Sequence, residues 1–421
     1  MHCDADNALG IYISIPFCRS KCTYCNFASG VYPAADHERY VERLIEDLCG
    51  ARARASRLGA KLPRRVDTIY LGGGTPSLLA PELLLHLFRS IRAQFDLVAD
   101  AEITMECAPG QIPAATLEAM TTVGVDRVSL GVQSFVDEEA HASGRLHNRS
   151  TVEEDLRSLR AAGIQNLNVD LIAGLAGQTF ASWEESLAVL ADSDVPHASV
   201  YMLEVDEDSR LGRELLQKGT RYRAGLVPAD DAIARMYERA IERLDGAGLN
   251  QYEISNFARP GFESKHNLRY WKRRPYLGVG LDASSMMRSA PSDPTAPWSA
   301  GVEEVNRDFV LRATTTDDLK AYLAGPTPHE TSWLSPAQQF EEAWFLGLRM
   351  NDGVVVDRIT HEFGPEMIAR AMTTVERLID DGLLVFDGER VQLTPRGRLL
   401  SNDVFAEFLD STPEPEAVLA G

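Results

Sequence analysis

The chain has 421 residues, 44% hydrophobic and 25% charged, too many for one ordinary core, so two domains are expected. Its formal net charge of −20, from 62 acidic against 42 basic residues, disfavours nucleic acid or anionic lipid as the main partner, because such a surface repels phosphate; the densest basic spots, "RRVD" and "YWKRRPY", are short. No apolar run of about 18 residues reads as a membrane span, the start "MHCDADNALG" lacks the regions of a signal peptide and predicts a cytoplasmic protein, and six cysteines in so long a chain are no disulfide framework.

From Ile11 to about Val205 a strand-then-helix rhythm repeats. Apolar, β-branched runs recur at "IYISIP", "VDTIYLGGG", "EITMECAPG", "VDRVSLGVQS", "LNVDLIAGL" and "ASVYMLEV". Helical patterns lie between them, several stopping at Gly. This alternation predicts parallel βαβ units. Six strands predict an α/β fold built on an open, partial (β/α)6 barrel. A long helix follows over "DDAIARMYERAIERLDGAG". The less regular region 251–313 extends the barrel and holds "HNLRYW". Within it "SAPSDPTAPWSAG" (289–301) reads as a surface loop. A small α+β domain is expected over 314–421: three helices, then two short β runs about a "DGER" turn. That order resembles a winged helix. The acidity argues against DNA and for an interaction or lid role. The last ten residues are expected to fray.

The chemistry concentrates in "PFCRSKCTYCNF", where Cys18, Cys22 and Cys25 follow the first strand. They therefore sit at the C-terminal end of a barrel strand, where β/α barrels carry their sites. Three thiolates within eight residues can wrap one compact cluster. A [4Fe–4S] cube takes four ligands, so three cysteines leave one iron open. The competing readings are chance clustering or a zinc site completed by a distant His. Zinc motifs usually pair C-x-x-C units, and no second pair exists. Cys3, Cys49 and Cys107 read as bystanders. The second strand ends in Gly72, Gly73, Gly74 and Thr75, a turn that lets backbone approach a ligand; alone it is an ordinary tight turn. Glu106, Gln133 and Asp170 stand at the ends of later strands, and Arg145 follows the fourth. Singly each reads as a cap or turn bond. Together they suit a ligand with hydroxyls, an ammonium and a carboxylate.

C-x3-C-x2-C after the first strand of such a barrel resembles the radical S-adenosylmethionine (SAM) superfamily. The resemblance implies a three-cysteine [4Fe–4S] cluster whose open iron binds SAM. It also implies SAM contacts from the glycine run, Glu106, Gln133, Arg145 and Asp170, with Tyr12 beside the ligand. Over nearly the whole chain the sequence is similar to the oxygen-independent coproporphyrinogen III oxidase family. That family has an oxidase branch and a HemW-type haem-chaperone branch. The oxidase has a fourth cysteine where Phe27 stands, and a longer segment before the cluster loop. The chaperone branch has H-N-x-x-Y-W, here His266, Asn267, Tyr270 and Trp271. That resemblance implies haem as a cofactor and haem-acceptor proteins as partners, with a homodimer and SAM cleavage left open. A neutral His is a suitable haem ligand, so His266 is a candidate; by residue type alone it reads as a structural His. Ser14 stands where the family often has His, Ala176 where it often has Pro, and Cys107 where Asn is frequent. The alternative function is anaerobic decarboxylation of coproporphyrinogen III.

Overall fold

The structure, a computed structural model, describes residues 8–290, 309–326 and 329–409. Nearly all of the expected 289–301 loop, the expected frayed end and Cys3 lie outside the described residues. Six strands, β1 Leu9–Ile15, β2 Arg65–Gly73, β3 Asp96–Cys107, β4 Arg127–Gln133, β5 Asn166–Ala173 and β6 His197–Met202, pair in chain order, all parallel. Helices α1 Ala34–Arg57, α2 Pro81–Gln94, α3 Ala114–Val123, α4 Arg149–Ala161 and α5 Phe180–Asp192 connect them. The helix ends follow local chemistry. Asn148 and Thr179 cap α4 and α5 through their side chains. Gly124 ends α3 at φ +89°, a left-handed position that favours Gly.

Alternation along the strands divides two environments. Ile11, Ile13, Ile69, Leu71, Met105, Leu130, Val169 and Leu171 are fully buried in the apolar layer shared with the helices. Each such side chain contributes about 1.5–3 kcal/mol by leaving water. The alternate positions are polar and meet one another across the lumen. Asp170 accepts from Ser129 at 3.0 Å, and the rings of Tyr12 and Tyr70 stack at 6.1 Å. Parallel strands are usually apolar on both faces; here one face is kept for polar groups.

α6 Asp230–Gly246 packs beside α5. β7 Asn250–Glu253 and β8 Asn256–Ala258 then extend the sheet past β6, antiparallel. α7 Lys265–Trp271 carries the "HNLRYW" motif. A seventh parallel strand, β9 Tyr276–Val279, lies against β1, with Gly10 beside Tyr276. β10 Ser284–Ser289, β11 Val310–Thr315 and β12 His329–Leu334 continue the sheet on that side. The expected boundary at 313/314 therefore falls inside β11. The chain stays in the large sheet to Leu334, because β11 pairs with both neighbours.

The tail follows: α8 Pro336–Arg349, β13 Val354–Val355, α9 Val356–Phe363, α10 Pro365–Asp380, β14 Leu384–Phe386, β15 Arg390–Leu393 and α11 Ser401–Ala406. Its three strands form a separate antiparallel sheet, giving the winged-helix-like order. The "DGER" turn forms: the Asp387 carboxylate accepts from the Glu389 and Arg390 amides at 2.8 and 2.7 Å. The tail has its own core, where Trp344 stacks on Phe408 at 4.9 Å. Ile254, just past β7, is buried in that core. Among the described residues no helix is long and apolar enough to cross a membrane.

Candidate functional site

The cysteine loop leaves β1 and closes on itself. The Cys18 amide donates to the Gly30 carbonyl and the Gly30 amide to the Pro16 carbonyl, both at 2.8 Å. Lys21 Nζ holds the return, donating to the carbonyls of Phe27 and Ser29 at 3.0 and 3.1 Å. Cys18, Cys22 and Cys25 are free thiols, partly exposed. Burial pushes the Cys18 thiol up, so its thiolate form calls for a positive partner. Phe27 is 59% exposed at the loop's outer edge. No three Cys, His, Asp or Glu side chains converge as around a single ion, among the described residues. A cube spreads its cysteines over separate irons and does not ask for that convergence.

The glycine run works at two levels. A Cβ on Gly74 would stand 2.8 Å from the carbonyl oxygens of Ile15 and Phe17, so this glycine lets the turn pack on the cysteine loop. Its amide and that of Thr75 donate to those same oxygens at 2.8 Å. A Cβ on Gly72 would stand 2.9 Å from Glu106 Oε1; its absence makes room for that carboxylate. Gly73, at φ +97°, turns its amide to donate to Glu106 Oε2 at 3.1 Å. Tyr70 donates to Glu106 Oε1 at 2.8 Å. Burial still dominates, and the Glu106 carboxyl is raised to about 7. Asp170 is also raised by burial, against bonds from Ser199, Ser129 and Asn168.

Arg145 is half-buried and donates through Nη2 to the Tyr24 hydroxyl at 2.9 Å. No carboxylate lies within ion-pair distance of it among the described residues. Gly131 makes its room, since a Cβ there would stand 2.9 Å from Nη2. Gln133 ends β4 at φ +69°, strained for a side chain that is not Gly. Its Oε1 is buried without a hydrogen-bond partner, as is Arg145 Nε.

One cavity of about 780 Å³ gathers Cys18, Cys22, Cys25, Gly73, Gly74, Thr75, Glu106, Gln133, Arg145 and Asp170, with Phe27 at its edge. The donor set fits the expected groups. The thiols offer cluster ligands, and the carboxylates Glu106 and Asp170 suit an ammonium or hydroxyls. Arg145 suits a carboxylate or the negative charge of thiolates, and Gln133 Oε1 awaits a donor. An unpaired buried polar atom costs about 1–3 kcal/mol, which a ligand here would recover.

Three expected contacts lie elsewhere. Gly72 stands behind Glu106, as described. Tyr12 does not line the cavity; it stacks on Tyr70, beneath Glu106. His266 does not line it either. It is 1% exposed in the barrel interior, with Nδ1 at 2.9 Å from Thr68 Oγ1 and Nε2 at 2.8 Å from the Tyr270 hydroxyl. Both nitrogens are thus engaged, and burial with the nearby Arg269 lowers its pKa to about 3. A neutral ring so held is a structural His in this conformation. Ser14 is buried between Gly73 and Gly280; a Cβ on either would stand 3.0–3.1 Å from its side chain. Sequence reasoning missed Tyr24, which anchors Arg145 from inside the C-x2-C interval, and Tyr70. It also missed Arg349, which lines the tail side of the cavity and carries no motif.

A Radical SAM superfamily model matches residues 12–190, and a HemN C-terminal domain model matches residues 334–400. The chain is 33% identical to the heme chaperone HemW of Lactococcus lactis, covering 94% of this chain and 96% of that protein. It is equally 33% identical to the heme chaperone HemW of Bacillus subtilis, covering 94% and 98%. In fold it is similar to coproporphyrinogen III oxidase (HemN) from Escherichia coli, a solved structure with TM-score 0.77 at 22% identity, covering 96% of this chain and 91% of that one. The chain belongs to the HemW family of radical SAM proteins.

Proposed function

We propose that this protein binds haem and passes it to acceptor proteins, and that it carries a [4Fe–4S] cluster on Cys18, Cys22 and Cys25 with exchangeable SAM. When bound, a three-thiolate cluster supplies an iron with an open position and one electron. Around it the chain's own residues bind and orient. Glu106, fixed by Tyr70 and the Gly73 amide, accepts an ammonium. Asp170, fixed by Ser129 and Asn168, accepts from hydroxyls. Gln133 Oε1 takes a donor, and Arg145 takes the carboxylate or balances the thiolates. Lys21 keeps the cysteine loop closed over this set.

The observation that carries the cofactor reading is the gathering of three free thiols with an ion-unpaired arginine, whose Nε is buried without a partner, and an unpartnered glutamine oxygen. The haem reading is supported by the name shared by the full-length relatives, and by Phe27 where an oxidase has its extra cysteine. The test is anaerobic reconstitution with iron and sulfide, followed by haem titration and transfer to an apo-haemoprotein. Saturable haem binding and transfer are expected. Turnover of coproporphyrinogen III to protoporphyrinogen would overturn the reading in favour of the oxidase.

A further inference from the structure

On the tail side of the cavity stands Arg349, the last residue of α8. Three contacts fix its guanidinium. Its Nε donates to Glu253 Oε2 at 3.0 Å, and Nη2 donates to Ser255 Oγ at 3.4 Å. Its carbon lies 4.3 Å from the centre of the Trp271 ring, a cation–π stack. Glu253 is itself immobilised: its side chain is fully buried, and it accepts from the Ser255 amide at 3.1 Å and from the Asn256 side chain. The carboxylate therefore takes the Nε side. Nη1 has no hydrogen-bond partner among the described residues. A guanidinium is a planar fork that matches a second carboxylate along its free edge. The cavity wall nearby includes the apolar side chains of Ile254 and Leu400, with the acidic Glu204 and Asp403 also on the lining. The cavity's other cations, Lys21 and Arg145, are bonded to the cysteine loop.

We propose that Arg349 is a carboxylate-binding subsite of this cavity that takes a propionate of haem, and that Trp271 is the positioning residue that holds its guanidinium flat. The proposal rests on the haem reading above. It gives the Trp of "HNLRYW" a task that does not require His266 to ligate iron. The other carboxylate source at this site is SAM, and the experiment separates the two.

The reconstituted protein is titrated with ferric haem and with haem dimethyl ester, which lacks both propionate charges, and SAM affinity is measured in parallel. The variants are Arg349→Gln, Trp271→Leu, and Arg349→Gln with Glu253→Gln. The double variant covers the case in which Arg349→Gln alone fails to fold because Glu253 is left buried and unpaired. For the parent, the ester is expected to bind about tenfold more weakly than haem, a 1.4 kcal/mol difference. Removing Arg349 lowers haem affinity by a similar factor, leaves ester affinity alone and leaves SAM affinity alone. Trp271→Leu lowers haem affinity less, without touching the ester. Equal binding of haem and ester by the parent overturns the subsite while leaving the haem reading in place. A loss of SAM affinity with unchanged haem affinity reassigns Arg349 to SAM and equally overturns it. No saturable spectrum with either haem overturns the subsite and the haem reading together.

Discussion

The two motifs that stand out in this sequence end in opposite states. "CRSKCTYC" folds into a loop whose three thiols are half-exposed and whose neighbours Gln133 and Arg145 keep unpaired polar atoms. "HNLRYW" folds into α7, whose first residues fill the barrel interior. There His266 is bonded on both sides, its amide donates to Glu102 at 3.0 Å, and Arg269 reaches Thr68, Ala8, Pro275 and Asp67. Both stretches carry residue types known for binding. What separates them is how far the fold has already satisfied those groups: His266 and Arg269 are paired, and in the second motif Trp271 Nε1 alone is buried without a hydrogen-bond partner among the described residues. Unpaired polar atoms mark a place for a ligand, whereas paired ones mark scaffolding. At the far end of α7, Trp271 stacks on Arg349, which lines the cavity.

The contrast is broken most directly at its extremes. Replacing Cys18, Cys22 or Cys25 by Ser is expected to reduce bound iron and sulfide and the visible absorbance to near zero. The unfolding free energy of the cluster-free protein should move by less than about 0.5 kcal/mol, since these side chains are partly exposed. A large loss of stability would show that the loop is scaffolding too. His266→Ala should do the reverse. It takes the Tyr270 hydroxyl's partner away, leaves Thr68 with Arg269 alone and opens a hole in the interior, costing about 3 kcal/mol in urea unfolding. The folded fraction should keep its cluster and its haem spectrum; a lost haem spectrum would return His266 to the list of ligands.

Gly72→Ala sharpens the comparison on the open side. The added carbon meets Glu106 Oε1 and the Tyr70 ring at 2.9 Å, so Glu106 must shift. SAM affinity should fall about tenfold, or 1.4 kcal/mol, read by calorimetry; an unchanged affinity would remove Glu106 from the SAM site. The smallest effect is one of pH. Burial raises Glu106 from 4.5 to about 7, so the folded state holds an extra proton between these values. The stability linked to that proton is complete below 4.5 and is lost as pH rises through about 7. Glu106→Gln removes the titration. In the cluster-free protein it should be more stabilising at pH 8 than at pH 5 by at most roughly 3 kcal/mol. Equal effects at the two pH values would contradict a buried, raised Glu106.

Much of this was legible in the sequence. The six parallel strands were readable because each is a short apolar run bounded by a periodic helix and often a Gly. β9 was not, since four residues carry little pattern and its neighbour β1 lies at the other end of the chain. The end of β11 and all of β12 were placed in the tail, because only pairing in the large sheet assigns them to it. Within the site, Cys18, Glu106, Gln133 and Asp170 were singled out from their positions at strand ends and Arg145 from the connection after the fourth strand, and all five line one cavity. Tyr12 was one step off because the ring between it and Glu106, Tyr70, cannot be inferred from spacing. For His266, a clue was present: Tyr270 is four residues on, which on a helix places its hydroxyl beside the ring. Thr68, the second partner, is joined to it only by tertiary structure.

The late arrival of β9 has a consequence for how the molecule is made. β1 leaves the ribosome long before β9, so its second flank is closed only when Tyr276–Val279 follows. At about 5–20 residues per second, the cysteine loop hangs from a half-paired strand for tens of seconds. Iron delivered during that interval would meet a loop whose strand is not yet clamped. Metal uptake by the three cysteines is therefore expected only once β9 has paired with β1, and a nascent chain stalled short of residue 276 should take up iron poorly.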